Sequence, residues 1–419
     1  MAAGMMAKEA VLGPGGRLRV CLCISLYPPW LGGAERQAQA LACELVRQGH
    51  AVTVVTRWFH GLPSKEVLDG VEVCRAIRTW DCGPMFGVTY VLSLAAYLLR
   101  QRKRFDVIQA TYLYLDAFTA ALLRGILRRP LVVRPACGGV DGDVRRLGQL
   151  RFWPLVRSWD RPTVSFVRRT IQARTDMLVA LSCELEEELL AAGFAADRIT
   201  RIPNGIDVSR FRPRSPAPFS AQETGPTLLF VGRLHAQKNL PVLLRAAAEL
   251  SSRWPNLRVV LVGDGPERGR LEGLTNDLGL ERRVRFAGEV PDVLPFLHAA
   301  DLFVHPSRAE GMPGALLEAM ACGLPCVATR IGGTVDIITD GEDGILIPPG
   351  DDRLLAGAIG RLLGDLGLAR RLGRQARATV EARFAMDGVA RQYAALYEGL
   401  VAGLGNRRTP THPGGKHGN

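Results

Sequence analysis

Glu310-Gly-Met-Pro-Gly-Ala-Leu-Leu-Glu318, continuing as Ala-Met-Ala-Cys-Gly-Leu-Pro-Cys326, is the stretch that decides the fold. It reads as a polar loop that passes into a helix and stops at Gly323 and Pro325. The apolar run Leu302-Phe-Val304 before it reads as a buried parallel strand, so the unit is strand, loop, helix. Pro313 suits the first helical position, where its missing N–H costs nothing. The backbone of Gly311, Met312, Gly314, Ala315 and Leu316 is then expected to turn its free amides outward, with the positive end of the helix dipole behind them. That makes an anion site, flanked by Glu310 in the loop and Glu318 in the helix. Carboxylates beside an anion pocket suit a ligand that offers hydroxyls and phosphates together, as a sugar nucleotide does. The plain alternative is a capped helix with two solvated glutamates.

Bulk composition narrows the class. A chain of 419 residues, 47% hydrophobic and 22% charged, fills two globular cores and is neither disordered nor fibrous. Nine cysteines occur without a C-x-x-C pair, which favours reduced thiols in a cytoplasmic setting over a disulfide or zinc framework. Residues 1–16 read as a flexible leader lacking the basic start and long apolar block of a secretory signal. The longest apolar stretch, Val88 to Leu99, is too short to span a bilayer. The net charge is +12, and residues 144–175 hold eight arginines against the single acid Asp160, with Phe152, Trp153, Trp159 and Phe166 interleaved. No recognition-helix, RNA-binding or zinc-finger pattern accompanies this run, so nucleic acid is not an expected partner. The preferred reading is peripheral contact with an anionic membrane at its inner face. A solvated basic face is the alternative.

Outward from the opening motif, the chain alternates strands and helices. Leu18–Ile24, the loop Tyr27-Pro-Pro-Trp-Leu-Gly-Gly33, a helix to Gln48 and a strand over 51–56 make one βαβ unit. Its Gly32-Gly33 doublet is not G-x-G-x-x-G, and no acid follows the second strand, which argues against a nicotinamide or flavin site. Strands follow at 71–73, 105–110, 130–134 and 176–182, with a helix at about 86–103 and Ser182 as the cap of another. Residues 212–226 read as a linker. A second alternation begins at Thr227 and ends in helices near 351–362, 367–381 and 386–402, before a Gly/Pro/Arg/His-rich tail over 403–419 expected to be disordered. The expected fold is α/β: two doubly wound, Rossmann-like domains (17–205 and 206–385) facing across a cleft, with ligands beyond the carboxyl ends of the strands.

A second cluster, Val231-Gly-Arg-Leu-His-Ala-Gln-Lys-Asn239, follows the first strand of the second domain. Arg233 forks onto phosphate oxygens and Lys238 adds a point charge, together suited to neutralising a leaving diphosphate. Solvated surface charge is the alternative. His235, His298 and His305 read as packing or surface residues, and no metal site is expected. Asp141-Gly-Asp143 is a weak D-x-D match to a metal–diphosphate motif.

Taken together, Pro28-Pro-Trp-Leu-Gly-Gly33 with Glu35, Ile202-Pro-Asn-Gly-Ile-Asp207, Gly232-Arg-Leu with Lys238, Gly263-Asp-Gly-Pro266, Pro306-Ser307 and Glu310-x(7)-Glu318 resemble the retaining glycosyltransferases of family four, which have the GT-B fold. The likeness runs in consistent order from about residue 18 to 400. It implies transfer of a sugar from a UDP- or GDP-linked donor to a glycan or lipid-linked acceptor in polysaccharide or glycolipid synthesis, with retained configuration and neither cofactor nor metal. By the same likeness, Arg233 and Lys238 bind the diphosphate and Glu318 the ribose. Glu310 and the backbone of 311–316, Pro313 included, hold sugar and phosphates. Gly32 and Gly33 cover the diphosphate, Asn204 and Gly232 complete the donor site, and helix 386–402 returns to the first domain. Three departures stand out: no histidine in Arg134-Pro-Ala-Cys-Gly-Gly-Val-Asp-Gly-Asp143, Gly314 where Asn is common, and Asp336 where Glu is common. Arg134, Asp141 and Asp143 are the acceptor-side candidates in place of the histidine. A GT-B-fold nucleotide-sugar epimerase or phosphorylase, and an inactive sugar-nucleotide sensor, are the competing functions.

Overall fold

Short apolar runs, each closed by a glycine-bearing or polar loop, make two sheets. The computed structural model describes residues 16–30, 32–83, 85–136, 142–143, 160–214 and 225–406. The leader before residue 16, the basic stretch 144–159, linker residues 215–224 and the tail from 407 lie outside them.

The first sheet contains β1 (Arg19–Cys23), β2 (Ala51–Arg57), β3 (Lys65–Leu68), β4 (Val71–Ile77), β5 (Val107–Thr111), β6 (Leu131–Arg134), β7 (Met177–Ala180) and β8 (Ile199–Arg201). Their order is β3-β4-β2-β1-β5-β6-β7-β8, and only β3 runs antiparallel. Helices α1 (Gly33–Arg47), α2 (Met85–Arg100), α3 (Leu115–Leu127), α4 (Asp160–Arg174) and α5 (Cys183–Ala191) accompany it. Ser182 caps α5 as its position suggests, accepting from the Leu185 amide at 3.2 Å. In the second sheet, β9 (Thr227–Val231), β10 (Arg258–Val262), β11 (Val284–Gly288), β12 (Leu302–His305), β13 (Cys326–Thr329) and β14 (Ile345–Ile347) are all parallel, in the order β11-β10-β9-β12-β13-β14. Its helices are α6 (Leu240–Leu250), α7 (Arg268–Asp277), α8 (Leu294–Ala299), α9 (Gly314–Ala321), α10 (Gly332–Val335), α11 (Asp352–Gly364) and α12 (Leu366–Arg383). The last helix, α13, spans Met386–Asn406. Central strands such as β5, β12 and β13 are buried along their whole length, which is why they read as unbroken apolar runs.

In each sheet the strand order reverses beside its first strand, between β1 and β5 and between β9 and β12, and such switch points are where open α/β sheets bind ligands. Two chain crossings join the halves. Ile206 donates to Phe384 O (2.8 Å) and Met386 donates back to Ile206 O (2.9 Å). After crossing, α13 buries Met386, Val389, Tyr393 and Tyr397 against Leu18, Val20, Val54 and Val107 of the first sheet, and the Tyr397 hydroxyl bonds Gln109. Asp336 takes the Cys183 amide at 2.8 Å, and a Cβ on Gly332 would lie 1.5 Å from the Glu184 carboxylate, so α5 and α10 meet where only glycine fits.

The structure departs from the sequence reading in α3 and α10, which stand where no helix was expected, and in two further places. β4 runs on to Ile77 and pairs with the half-exposed edge strand Lys65–Leu68, whose polar alternation gave no buried-strand signal. Pro313 is the residue before α9 rather than its first helical one: its ψ of 110° is extended, and Gly314 starts the helix. Among the described residues no helix is long and apolar enough to cross a membrane, and no group of His, Cys, Asp or Glu is placed to hold a metal.

Candidate donor and acceptor site

The loop after β9 is pressed backbone to backbone on its neighbour. A Cβ on Gly263 would lie 2.1 Å from Gly232 O, and one on Gly265 2.4 Å from Leu234 O. Leu234 donates to Asp264 O and is wholly buried. Arg233, between Gly232 and Leu234, is left exposed at the carboxyl end of the sheet; its carbonyl accepts from the His235 amide (2.9 Å), and its guanidinium has no hydrogen bond or ion pair among the described residues. The chain then makes a single turn over Ala236–Lys238, and Asn239 in the left-handed region (φ 53°) sends it into α6.

That turn is fastened to the loop after β12, the adjacent strand. Arg308 donates to Gln237 O (2.8 Å), and the Gln237 side chain donates to Ala309 O (2.7 Å). The Lys238 ammonium bonds Glu310 Oε1. His305 Nε2 (3.1 Å) and Ser307 Oγ (2.8 Å) reach the same oxygen. Oε2 is thus left without a protein hydrogen bond among the described residues. The His305 ring is itself fixed near-parallel to Phe230 and Phe303. Burial favours the neutral acid at Glu310, but the His305 hydrogen bond and the Lys238 charge outweigh it and hold the carboxyl at about 2.

Beyond Glu310 the backbone turns inward. Gly311, Met312 and Pro313 are buried, a Cβ on Gly333 would lie 2.3 Å from Gly311 O, and Asn204 Nδ2 donates to Met312 O at 3.0 Å. The expected outward row of amides is thereby narrowed to the first turn of α9, where Gly314 and Ala315 are partly exposed and helix geometry leaves the N–H groups without carbonyl partners. Glu318 lies one turn further along. Burial pushes its carboxyl up to about 7 against the pull of Arg36 and Arg210, and no hydrogen bond to it is present among the described residues. It opens onto an interdomain cleft of about 490 Å3 lined by Arg36 and Arg47 of α1, the Gly205–Phe211 crossing, Pro291 and Val293.

On the first domain, Gly32 and Gly33 begin α1 beside buried Glu35, which accepts from Tyr112 at 2.7 Å. A Cβ on Gly32 would stand 2.5 Å from the Glu35 carboxylate, so the backbone here runs close beside that acid. Two acceptor-side candidates are already engaged. Arg134 is buried and donates to Asn204 Oδ1 (2.5 Å), so Arg134, Asn204 and Met312 form a polar link between the domains. Asp143 is buried and accepts from the Ala136 amide (2.7 Å) and the Tyr114 hydroxyl (3.1 Å). Asp141 lies outside the described residues. Arg233, Lys238, Glu310 and the start of α9 thus come together at the β9/β12 switch point, with Glu318 opening onto the cleft that α1 also lines. His305, read from the sequence as a packing or surface residue, is packed as expected but also positions Glu310, and no motif pointed to Arg36 and Arg210, which face Glu318. The position of His305 at the end of β12, five residues before Glu310, was the one available signal for the first.

Comparison with known proteins follows the same outline. A family profile described as "Glycosyl transferases group 1" matches residues 225–365, and one described as "Glycosyltransferase Family 4" matches residues 31–210. The D-inositol 3-phosphate glycosyltransferase of Nocardia farcinica is 32% identical over 417 residues, covering 90% of this chain and 89% of its own. Among solved structures, sucrose-phosphate synthase from Thermosynechococcus elongatus aligns with a TM-score of 0.75 at 27% identity, covering 92% of this chain and 100% of that one. Anabaena HepE, solved in complex with UDP, shares the fold at a TM-score of 0.71 and 24% identity, covering 91% of this chain and 100% of its own.

Proposed function

We propose, from the premise that this chain belongs to the family 4, group 1 glycosyltransferases of GT-B fold, that it moves a sugar from a UDP- or GDP-linked donor onto a glycan or lipid-linked acceptor with retention of configuration. One observation carries the reading: the Lys238–Glu310 pair joins the loops of β9 and β12, so cation, carboxylate and helix start share one place at the switch point. The Arg233 guanidinium, unengaged among the described residues, takes phosphate oxygens. Lys238 gives one N–H to Glu310 and keeps two for the diphosphate. In this reading the counter-charge to the leaving group comes from these two side chains and the amides of α9, with no metal needed.

Glu310 stays ionised at every physiological pH, so it accepts hydrogen bonds from donor-sugar hydroxyls and does not act as an acid. Glu318, neutral for part of the time near pH 7, both donates to and accepts from ribose hydroxyls. In the transfer, the anomeric carbon–oxygen bond breaks with its electron pair going to the diphosphate. The acceptor oxygen bonds the same face, and the departing phosphate takes the acceptor proton. The work is cytoplasmic, at the inner membrane face, supported by the exposed Arg168, Arg169 and Phe166 of α4. A thermal-shift panel of nucleotide sugars tests the donor site. A true donor at 100 times its Kd adds about 2.7 kcal/mol of stability. Arg233→Ala and Glu318→Ala abolish that gain; a gain that survives both would defeat the assignment.

A further inference from the structure

Three loops at the carboxyl ends of β1, β2 and β4, neighbours in the first sheet, bring tryptophans and arginines to one surface that the donor site does not use. Trp30, two residues before Gly32, packs on Phe59 with ring centroids 4.1 Å apart, yet stays 41% exposed. Arg57 lies 4.9 Å from the rings of both Phe59 and Phe86, and Arg78 stands 5.2 Å over Trp58. Trp80 is 65% exposed.

The loops are held in register. Trp58 N donates to Ile77 O (2.9 Å), Arg57 Nη2 reaches Thr79 (3.0 Å) and Asp81 (3.1 Å), and buried Arg75 holds Pro28 O at 2.6 Å. Large rings kept exposed on a braced scaffold mark a binding surface, since solvation alone would not retain them. Sugar rings present a flat C–H face suited to such indoles, and their hydroxyls suit the arginines and carboxylate around it. Asp81 stands at the same edge and pairs with Arg57 (3.1 Å), so the charges there largely cancel, which favours a neutral glycan over an anionic lipid surface.

We propose that Trp30 and Trp80 are an acceptor subsite on which an extended glycan stacks. Its terminal sugar meets the donor beside Gly32 and Gly33, and its following units run out over β2 and β4, a reach of two strand spacings or about 10 Å. This inference rests on the glycosyltransferase reading and fixes its acceptor class: an oligosaccharide chain.

Saturation-transfer NMR on the full chain with maltotetraose, cellotetraose and mannotetraose provides the test. At least one tetraose receives saturation at its ring C–H protons. Trp30→Ala and Trp80→Ala each weaken that tetraose's binding about fivefold, the worth of one lost ring contact, and Trp80→Phe restores it. No contact with any tetraose overturns the subsite. So does a pair of alanine variants that lose binding to phosphatidylglycerol vesicles instead, which would make the patch lipid-facing. Thermal shift with UDP and GDP is read alongside: it is unchanged in Trp80→Ala, and its loss there would assign Trp80 to the donor and overturn the proposal. A wild-type chain that binds neither nucleotide fails the transfer reading itself, whatever the tetraoses do.

Discussion

Glu310 and Glu318 stand at the two ends of one loop–helix unit, eight positions apart, and burial acts on both in the same direction. Around Glu310 a lysine, a histidine and a serine converge on one oxygen, and the carboxyl stays charged down to about pH 2. Among the described residues, Glu318 has the charges of Arg36 and Arg210 to set against desolvation, and its carboxyl rises to about 7. The fold has thus completed one acid in advance and left the other to be completed by what enters the cleft. A pre-formed charge orients a ligand without reorganising, whereas an unpartnered acid rewards a ligand that supplies its hydrogen bonds.

The sharpest way to break this comparison is to remove the counter-ion that, together with the His305 hydrogen bond, makes Glu310 different. Lys238→Met leaves a buried carboxylate without its counter-ion and is expected to cost about 3–5 kcal/mol in urea unfolding at pH 7. A cost near zero would mean that Lys238 is not what keeps Glu310 charged.

Next in size is the opposed pH dependence of the two acids. Glu318 holds its proton more tightly folded than unfolded. Its stabilisation is therefore complete below about pH 4.5 and is lost as pH rises through about 7. Glu310 holds its proton less tightly, so its stabilisation is complete above about pH 4.5 and is lost as pH falls toward 2. Each limb is worth at most about 3.5 kcal/mol, at about 1.4 kcal/mol per tenfold change in proton affinity. Glu318→Gln should flatten the neutral limb and leave the acid one, and Glu310→Gln the reverse. Chemical denaturation from pH 2 to 8 measures both, and one variant altering both limbs would mean the two sites are coupled. Smallest is Ser307→Ala, which removes one of three donors to Glu310, costs about 1.5–3 kcal/mol, and moves the acid limb to higher pH.

The strands and the motif order were legible because a parallel sheet covered on both faces needs continuous apolar runs, and Leu302–Val304 or Leu228–Phe230 offer little else. Strand Lys65–Leu68 was not legible, since a polar edge strand borrows its register from β4 rather than from its own pattern. At the site, loop position alone placed Arg233 and Lys238 at the mouth of the sheet. What position could not reveal is that Lys238 already holds Glu310, 72 residues away, because that pairing exists only once β9 and β12 lie side by side. That Arg134 and Asp143 are already engaged within the protein was hidden for the same reason. Their partners, Asn204, Tyr114 and the Ala136 backbone, are chosen by how the chain closes, and no residue pattern announces it.

The return of α13 to the first sheet carries a consequence for how the protein is made. Translation delivers β1 through β8 well before Tyr393 and Tyr397, so the emerging domain lacks the aromatic side chains that seal one of its faces. An apolar groove therefore remains uncovered while the ribosome works through the second half, and only the last stretch synthesised shuts it. Truncation ahead of Met386 would release a chain whose early half never finishes folding, even though every strand of that half is present.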